Sequence, residues 1–188
     1  MADKTKYSFK RYEKKYFISP EQQGFLLNGI RSFTNPDEYG KYTICNIYYD
    51  TDDWRLIRAS LEKPIYKEKL RVRSYGVPSE DGKAFIELKK KYSGVVYKRR
   101  ITVKASETEP LLYGLEPLKR FGQIGSEISW FQNFYKAVPK VFIGYDRTAF
   151  AGIYDPEIRI TFDTGMRWRT NDLNLCLGDS GRPLISDN

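Results

Sequence analysis

The chain contains 188 residues, with 32 Lys and Arg against 24 Asp and Glu, two Cys and no His. This length and a hydrophobic share of 40% predict one folded domain with a sizeable core. Without histidine the chain cannot form a Ser-His-Asp triad, an imidazole general base or a His-ligated zinc site. Any catalysis must therefore use carboxylates, cations, hydroxyls or tyrosines.

The net charge of +8 lies in the first part of the chain, because Lys and Arg outnumber Asp and Glu in residues 1–104 but not in residues 105–188. An anionic partner is expected, and basic character alone allows nucleic acid, an acidic membrane surface or a small polyanion. The chain has neither an apolar signal segment nor an apolar run of about 18 residues, so we expect no membrane segment and a cytoplasmic location. Two widely separated cysteines fit a reducing compartment.

The predicted elements begin with a strand over Tyr7–Ile18. An N-cap, a proline at the first helical position and a capping-box partner follow in Ser19–Gln22 and predict a helix over Pro20–Ile30. Asn35-Pro36-Asp37 interrupts the chain before a strand over Lys41–Asp50. The acids Asp50, Asp52 and Asp53 then favour a capped short helix over Trp54–Ala59.

The middle of the chain predicts an antiparallel meander over Tyr66–Tyr75, Lys83–Lys91 and Val95–Lys104, with a turn at Asp81-Gly82. A second helix is predicted from Ser126, because apolar residues recur there at helical spacing. Later strands are predicted at Val141–Phe150, Pro156–Asp163, Met166–Arg169 and Leu173–Leu177. The fold class is mainly antiparallel β with accessory helices (α+β), closed into a barrel.

One predicted strand carries an unusual alternation. Side chains two apart share a face, so KEKLRVR places Lys67, Lys69, Arg71 and Arg73 on one side and Leu70 on the other. A single strand of this kind is more typical of a solvated basic surface.

Other strands repeat the pattern, and this favours a different interpretation. Their charged stripes contain Arg11, Glu13 and Lys15; Glu87, Lys89 and Lys91; Lys98, Arg100 and Lys104; Tyr145 and Arg147; and Arg159, Thr161 and Asp163. Closing such strands with these stripes inward would create a water-filled tunnel lined by cations and a few carboxylates. Phosphate chains suit that lining, because Arg forks and Lys ammonium groups bind phosphate oxygens and a carboxylate can hold a divalent ion.

These residues resemble a known family. The blocks RYEKKYFIS, IYYDT, YKEKLRVRSY, FIELKKK, YKRR, YDR and IRITFD occur in the order seen in the VTC domain, the polyphosphate-polymerase branch of the CYTH-like triphosphate tunnel metalloenzymes. The resemblance spans nearly the whole chain and implies that residues 1–188 form one tunnel domain. It implies an eight-stranded antiparallel tunnel barrel that binds ATP, inorganic polyphosphate or triphosphate with Mn2+ or Mg2+.

The resemblance also implies roles for particular residues. Lys69, Arg71, Arg73 and Lys89 are expected to be catalytic. The expected phosphate-binding residues are Lys15, Lys67, Lys91, Lys98, Arg99, Arg100, Tyr145, Arg147 and Arg159. YKRR leaves open which of its cations points inward, since adjacent strand residues face opposite ways. Glu13 and Glu87 are the expected metal ligands, and the terminal phosphate of ATP would pass to a growing polyphosphate chain.

Two departures bear on activity. Triphosphatase relatives begin with ExExK, whereas this chain has RxExK with Arg11 in the first position, which favours the polymerase-like branch. VTC-like domains also continue into a strand with an E-x-K pair, whereas this sequence stops at LISDN. Either the native protein continues beyond Asn188, or it lacks that ligand and binds phosphate without turnover.

Three alternatives to the polymerase therefore stay open. They are a non-catalytic polyphosphate- or nucleotide-binding module, a metal-dependent triphosphatase and a nucleic-acid binder of OB type. Nucleic acid is not expected, because cations and acids alternate along strands from both ends of the chain, as a closed tunnel requires. The sequence leaves the oligomeric state open.

Overall fold

The computed structural model describes residues 8–9, 13–114, 117–155 and 157–185. Its strands are β1 (Ser8–Phe9), β2 (Thr34–Asp50), β3 (Tyr66–Tyr75), β4 (Lys83–Tyr92), β5 (Val95–Lys104), β6 (Val138–Gly152), β7 (Arg159–Arg169) and β8 (Arg182–Pro183). Its helices are α1 (Pro20–Ile30), α2 (Arg55–Leu61), α3 (Thr108–Leu112) and α4 (Gly122–Tyr135), with short 3-10 turns at Ala105–Glu107, Leu118–Phe121 and Leu175–Leu177. None of these helices is long and apolar enough to cross a bilayer.

The strands form one antiparallel sheet in the order β1-β5-β4-β3-β2-β6-β7-β8. The predicted closed barrel is wrong, because in the described ranges the sheet is open and β1 does not pair with β8. A barrel closes only when its first and last strands pair along their length. Here each edge strand is two residues long and pairs only with its inner neighbour.

Most of the predicted elements are confirmed. The helix at Pro20–Ile30 begins with the predicted capping box, in which the Ser19 side chain accepts from the Gln22 backbone. The three strands of the meander occur with the predicted bounds within one residue. The second helix begins one turn before Ser126, at Gly122.

Other elements differ from the prediction. Within the described residues the N-terminal strand is present at Ser8–Phe9, and residues 13–19 have no regular structure, while residues 7 and 10–12 of the predicted strand lie outside the described ranges. β2 begins at Thr34 and passes through Pro36, where a register shift in its ladder with β6 accommodates the proline. β7 joins two predicted strands into one, and the strand predicted at Leu173–Leu177 is a 3-10 turn.

The two faces of the sheet have opposite character because side chains alternate along each strand. One face packs its apolar residues against α4, whose Ile128 and Phe131 are fully buried beside Leu70, Ile86 and Leu88. We call it the helix-covered face. The alternate residues of β3, β4 and β5 form the opposite face.

Candidate phosphate-binding site

The strand register brings the predicted charged stripes together on that opposite face. Glu87 on β4 lies between Arg71 on β3 and Arg100 on β5, and Lys89 lies between Lys69 and Lys98. Cα partners in an antiparallel ladder share a face, so these side chains project to the same side. We call this surface the cationic face, which comprises Lys67, Lys69, Arg71, Arg73, Glu87, Lys89, Lys91, Lys98 and Arg100.

Glu87 is the centre of the cationic face, with a side chain that is 1% exposed. Its Oε2 accepts from Arg71 Nε at 2.8 Å and lies 2.6 Å from Arg71 Nη2. Arg73 Nε lies 3.9 Å from the same oxygen. The Lys98 ammonium lies 3.0 Å from Oε1, at the distance of an ion pair but outside hydrogen-bond geometry. One buried carboxylate therefore holds three cations side by side.

The protonation of this cluster follows from burial and charge. Burial alone would raise the pKa of Glu87, but Arg71, Arg73 and Lys98 together lower it to about 2. Burial lowers the pKa of Lys98 to about 8, and the attraction of Glu87 compensates only part of this effect. At neutral pH the carboxylate is ionised, and of the three cations that surround it Lys98 loses its proton first as the pH rises.

Two residues of β2 that the sequence analysis missed orient the arginines. Asn46 Oδ1 accepts from Arg73 Nε at 2.8 Å, and its Nδ2 donates to the Ile143 carbonyl at 2.9 Å. Tyr48 accepts from Arg71 Nη1 at 3.0 Å. Both residues are Cα partners of the arginines that they contact. Asn46 and Tyr48 are two positions apart and share a face of β2, so pairing β2 with β3 would have predicted that both lie beside the arginines.

Tyr145, predicted as a substrate-binding residue, belongs to the same network. Its hydroxyl accepts from Arg73 Nη2 at 3.2 Å. In this structure Tyr145 therefore helps to fix the guanidinium of Arg73.

Lysines dominate one end of the cationic face. Lys69 makes no ion pair with any described residue, and its pKa is lowered mainly by burial. Burial also lowers the pKa of Lys89, although Glu13 Oε2 lies 3.8 Å from its ammonium. Lys67 donates to the Ser60 carbonyl at 3.2 Å, and Lys91 is its Cα partner. We call Lys67, Lys69, Lys89 and Lys91 the lysine end.

Three predicted phosphate-binding cations are engaged elsewhere. Arg99 lies on the helix-covered face, 3.4 Å from Glu127 of α4, so Lys98 and Arg100 are the YKRR residues that reach the cationic face. Arg147 makes a bidentate pair with Asp163, at 2.6 and 2.7 Å, and Arg159 pairs with Asp37. Lys15 is exposed and lies 3.5 Å from Glu13. Arg11 lies outside the described residues.

The carboxylates of the site do not fit a divalent ion held by the protein alone. Such ions prefer several carboxylate oxygens, yet the described residues contain no group of three or more His, Cys, Asp or Glu placed to hold one. Glu87 faces three cations, and Glu13 contacts Lys15 and Lys89. In this arrangement both expected metal ligands neutralise cations.

Comparison with known proteins places the chain in a family. A candidate adenylate cyclase from Bacillus halodurans is 15% identical over 84% of this chain and 79% of that protein, with a TM-score of 0.42. A candidate adenylyl cyclase from Hippeastrum, described as having a dominant triphosphatase activity, is 14% identical over 78% of this chain and 68% of that protein, with a TM-score of 0.43. No curated protein matches the chain. The model of the VTC domain matches residues 10–185, and the chain therefore belongs to the VTC domain family, as the sequence predicted.

Proposed function

We propose that the protein binds the phosphate chain of ATP and of inorganic polyphosphate on the cationic face and transfers the terminal phosphate of ATP to a growing polyphosphate chain. Membership of the VTC domain family supports a nucleotide- or polyphosphate-related activity. The observation that carries the proposal is the Glu87 cluster. A buried carboxylate holds Arg71, Arg73 and Lys98 together. Lys69, which makes no ion pair within the described ranges, precedes Arg71 on the same face of β3.

A linear polyanion fits this arrangement better than a single small anion. Successive side chains on one face of a strand are about 7 Å apart, so Lys67, Lys69, Arg71 and Arg73 form an extended row of positive charge. The repulsion within such a row is relieved when an anion of similar length binds. Arg71 and Arg73 provide forked donors, and the lysines provide mobile point charges.

The proposed transfer needs no histidine. A terminal oxygen of the polyphosphate chain attacks the γ-phosphorus of ATP, the bond from that phosphorus to the β–γ bridging oxygen breaks, and ADP leaves with the electron pair. Positioning of the two phosphate chains and neutralisation of their charge supply most of the catalysis in such reactions. Lys69, Arg71 and Lys89 are the proposed groups for this task. Mn2+ or Mg2+ enters the site as part of the nucleotide substrate, bound to its phosphates.

Binding without turnover is the second candidate function. The observation that favours it is the lack of a carboxylate cluster among the described residues. Glu87 then serves only to organise the cations, and the cationic face stores or carries polyphosphate.

We also propose that residues 1–188 act as one domain. Strand β1 near the N-terminus and strands β6 to β8 in the last third of the chain lie in the same sheet. A cationic face and a helix-covered core built from one sheet are hard to divide into units that fold separately.

Phosphorus NMR of the chain with ATP and Mn2+ tests the proposal. We expect internal polyphosphate resonances to grow together with ADP for the unmutated chain and to be absent for Arg71→Ala. The matched control is Arg99→Ala, which removes an arginine from the helix-covered face and should leave turnover within about twofold, because a partly exposed ion pair contributes little.

Each other outcome has a distinct meaning. Orthophosphate without polyphosphate would replace the polymerase with a triphosphatase. Intact ATP whose resonances shift with the unmutated chain, but not with Arg71→Ala, would support binding without turnover. Equal loss in Arg71→Ala and Arg99→Ala, or no effect of the chain on ATP, would contradict the proposal.

A further inference from the structure

The cationic face ends in a cluster of aromatic rings beyond Arg73. Tyr75 follows Arg73 on the same face of β3, and its ring lies 5.6 Å from that of Phe85 on β4. Tyr42 of β2 lies 5.9 Å from Tyr75, and Tyr39 lies 6.2 Å from Tyr42. Each pair meets edge to face. We call these four residues the aromatic end.

Packing alone does not account for the aromatic end. Phe85 is buried, but Tyr75 and Tyr39 are 50% and 69% exposed. A cluster formed only to fill space would bury most of its ring area, since an aromatic ring contributes through the area removed from water. The exposed part of Tyr75 is therefore available to a planar ligand.

Arg100 provides a cation at the same position. Its guanidinium lies over the Phe85 ring, with 4.8 Å between its central carbon and the ring centroid. The Nε atom is buried and makes no hydrogen bond with any described residue. Buried donors are normally satisfied, so this atom indicates a missing acceptor.

The neighbouring arginines do not share this property. Arg147 is held by Asp163, and Arg159 is held by Asp37. Within the described ranges Arg100 makes no ion pair, so its charge is not neutralised by a carboxylate. An acceptor that is anionic, such as a phosphate oxygen, would satisfy its Nε and its charge together.

We infer that the aromatic end is a nucleobase subsite, so that the protein takes a nucleoside triphosphate with its base on Tyr75 and its phosphate chain directed towards the lysine end. The inference rests on the proposed function and adds where the base of the nucleotide lies and in which direction its phosphate chain runs. Arg73 and Arg71 precede Tyr75 on the same face of β3 and lie about 7 and 14 Å from it, so the cations begin where the phosphates of a bound nucleotide begin.

The distribution of charge supports this direction. Near Tyr42 the cations Arg147 and Arg159 are paired with Asp163 and Asp37, which reduces the attraction of this region for a long polyanion. At the opposite end Lys69 is unpaired among the described residues and Lys91 lies across from Lys67. The free end of the phosphate chain therefore lies among the lysines.

The test compares ATP with inorganic tripolyphosphate, which has the phosphates but no base. Calorimetric titrations of both ligands at one free Mg2+ concentration are made with the unmutated chain, Tyr75→Ala and Tyr75→Phe. Because a base stacked on an aromatic side chain loses that contact when the ring is removed, Tyr75→Ala should weaken ATP binding about 5- to 150-fold and tripolyphosphate binding less than about twofold. Tyr75→Phe keeps the ring and should bind ATP like the unmutated chain.

Tyr92→Ala is the matched control. Tyr92 is 57% exposed, but it follows Lys91 on β4 and so projects to the other side of the sheet. We expect it to leave both affinities unchanged. Saturation-transfer NMR supplies a second readout, in which the adenine protons receive magnetisation from the aromatic protons of the protein and lose it in Tyr75→Ala.

The outcomes separate the subsite from the proposed function. Tripolyphosphate binding with no advantage for ATP, or equal weakening of both ligands in Tyr75→Ala, would overturn the nucleobase subsite and leave the cationic face intact. If tripolyphosphate does not bind the unmutated chain, the proposed function fails and the subsite fails with it. Loss of ATP affinity in Tyr92→Ala of the same size as in Tyr75→Ala would also overturn the assignment.

Discussion

Replacing Glu87 with glutamine should destabilise the fold by an amount that the structure determines. The pKa of this carboxyl is lowered from its ordinary 4.5 to about 2, because Arg71, Arg73 and Lys98 outweigh the effect of burial. At about 1.4 kcal/mol per pKa unit, the ionised form contributes about 3 kcal/mol to the free energy of unfolding at pH 7. Breaking a buried ion pair by removal of one partner costs a similar amount.

The pH dependence has a definite sign. A carboxyl whose pKa is lower in the folded than in the unfolded chain stabilises the fold above pH 4.5, and this contribution is lost as the pH falls from 4.5 towards 2. The difference in stability between the unmutated chain and Glu87→Gln should therefore be largest near neutral pH and shrink in that window.

Urea unfolding followed by tryptophan fluorescence measures this difference. Glu13→Gln is the matched control, since the Glu13 side chain is 56% exposed and its ion pairs should contribute about 0–1 kcal/mol. An equal loss of stability in the two variants, or a Glu87→Gln difference that is the same at pH 7 and about pH 3, would refute the assignment of Glu87 as the centre of the buried cluster.

Three further outcomes are expected from the same geometry. Because burial lowers the pKa of Lys98 to about 8, tripolyphosphate binding should take up a proton at about pH 8.5, and a binding enthalpy at that pH that is independent of the buffer would contradict this. Asp50→Ala removes the acceptor for the backbone N–H groups of Leu56 and Ile57 in the first turn of α2 and of Thr51 before it, and should lower the free energy of unfolding by about 1–2 kcal/mol, whereas exposed Asp52→Ala should not. Lys69→Ala should weaken tripolyphosphate binding roughly tenfold in titration calorimetry, while Lys90→Ala on the helix-covered face should leave it unchanged.

The parts of the fold that depend on local patterns could be predicted from the sequence. The KEKLRVR alternation and the Asp81-Gly82 turn are short-range features, and they predict the β3–β4 hairpin and the face that carries Arg71 and Arg73. The capping box at Ser19 is equally local. In each case the residues that determine the element lie within a few positions of one another.

The parts that depend on long-range pairing could not be predicted in the same way. In a strand, either Lys98 and Arg100 or Arg99 of the YKRR block can project to the cationic face. Only the register of β5 against β4 places Arg99 on the helix-covered face, where its partner Glu127 is distant in sequence. The contact of Tyr145 with Arg73 likewise depends on the ladder that joins β6 to β2. Closure of the sheet depends on how its edges pair, which alternation within a strand does not specify.

The hydrogen-bond partners of a buried carboxylate on the helix-covered face also depend on long-range packing. Glu68 lies in the KEKLRVR strand but faces the core, where it accepts hydrogen bonds from Tyr66 and Tyr135, each at 2.9 Å. The alternation correctly separates Glu68 from the cations of β3. Nothing near it in sequence indicates that a tyrosine of α4 provides its second donor.

The placement of Glu87 explains how a surface for polyanions can persist when no anion is bound. Without a carboxylate, the desolvated cations of β3 and β5 would repel one another and favour opening of the sheet. With several carboxylates, the face would attract metal ions and lose its attraction for phosphate. A single buried glutamate between Arg71 and Lys98 stabilises the centre of the row, while Lys69 and Arg100 on either side make no ion pair with the described residues. The positive charge of these two residues is then available to the ligand. We expect Lys69 to bind the phosphate chain and Arg100 to bind the first phosphate of a nucleotide.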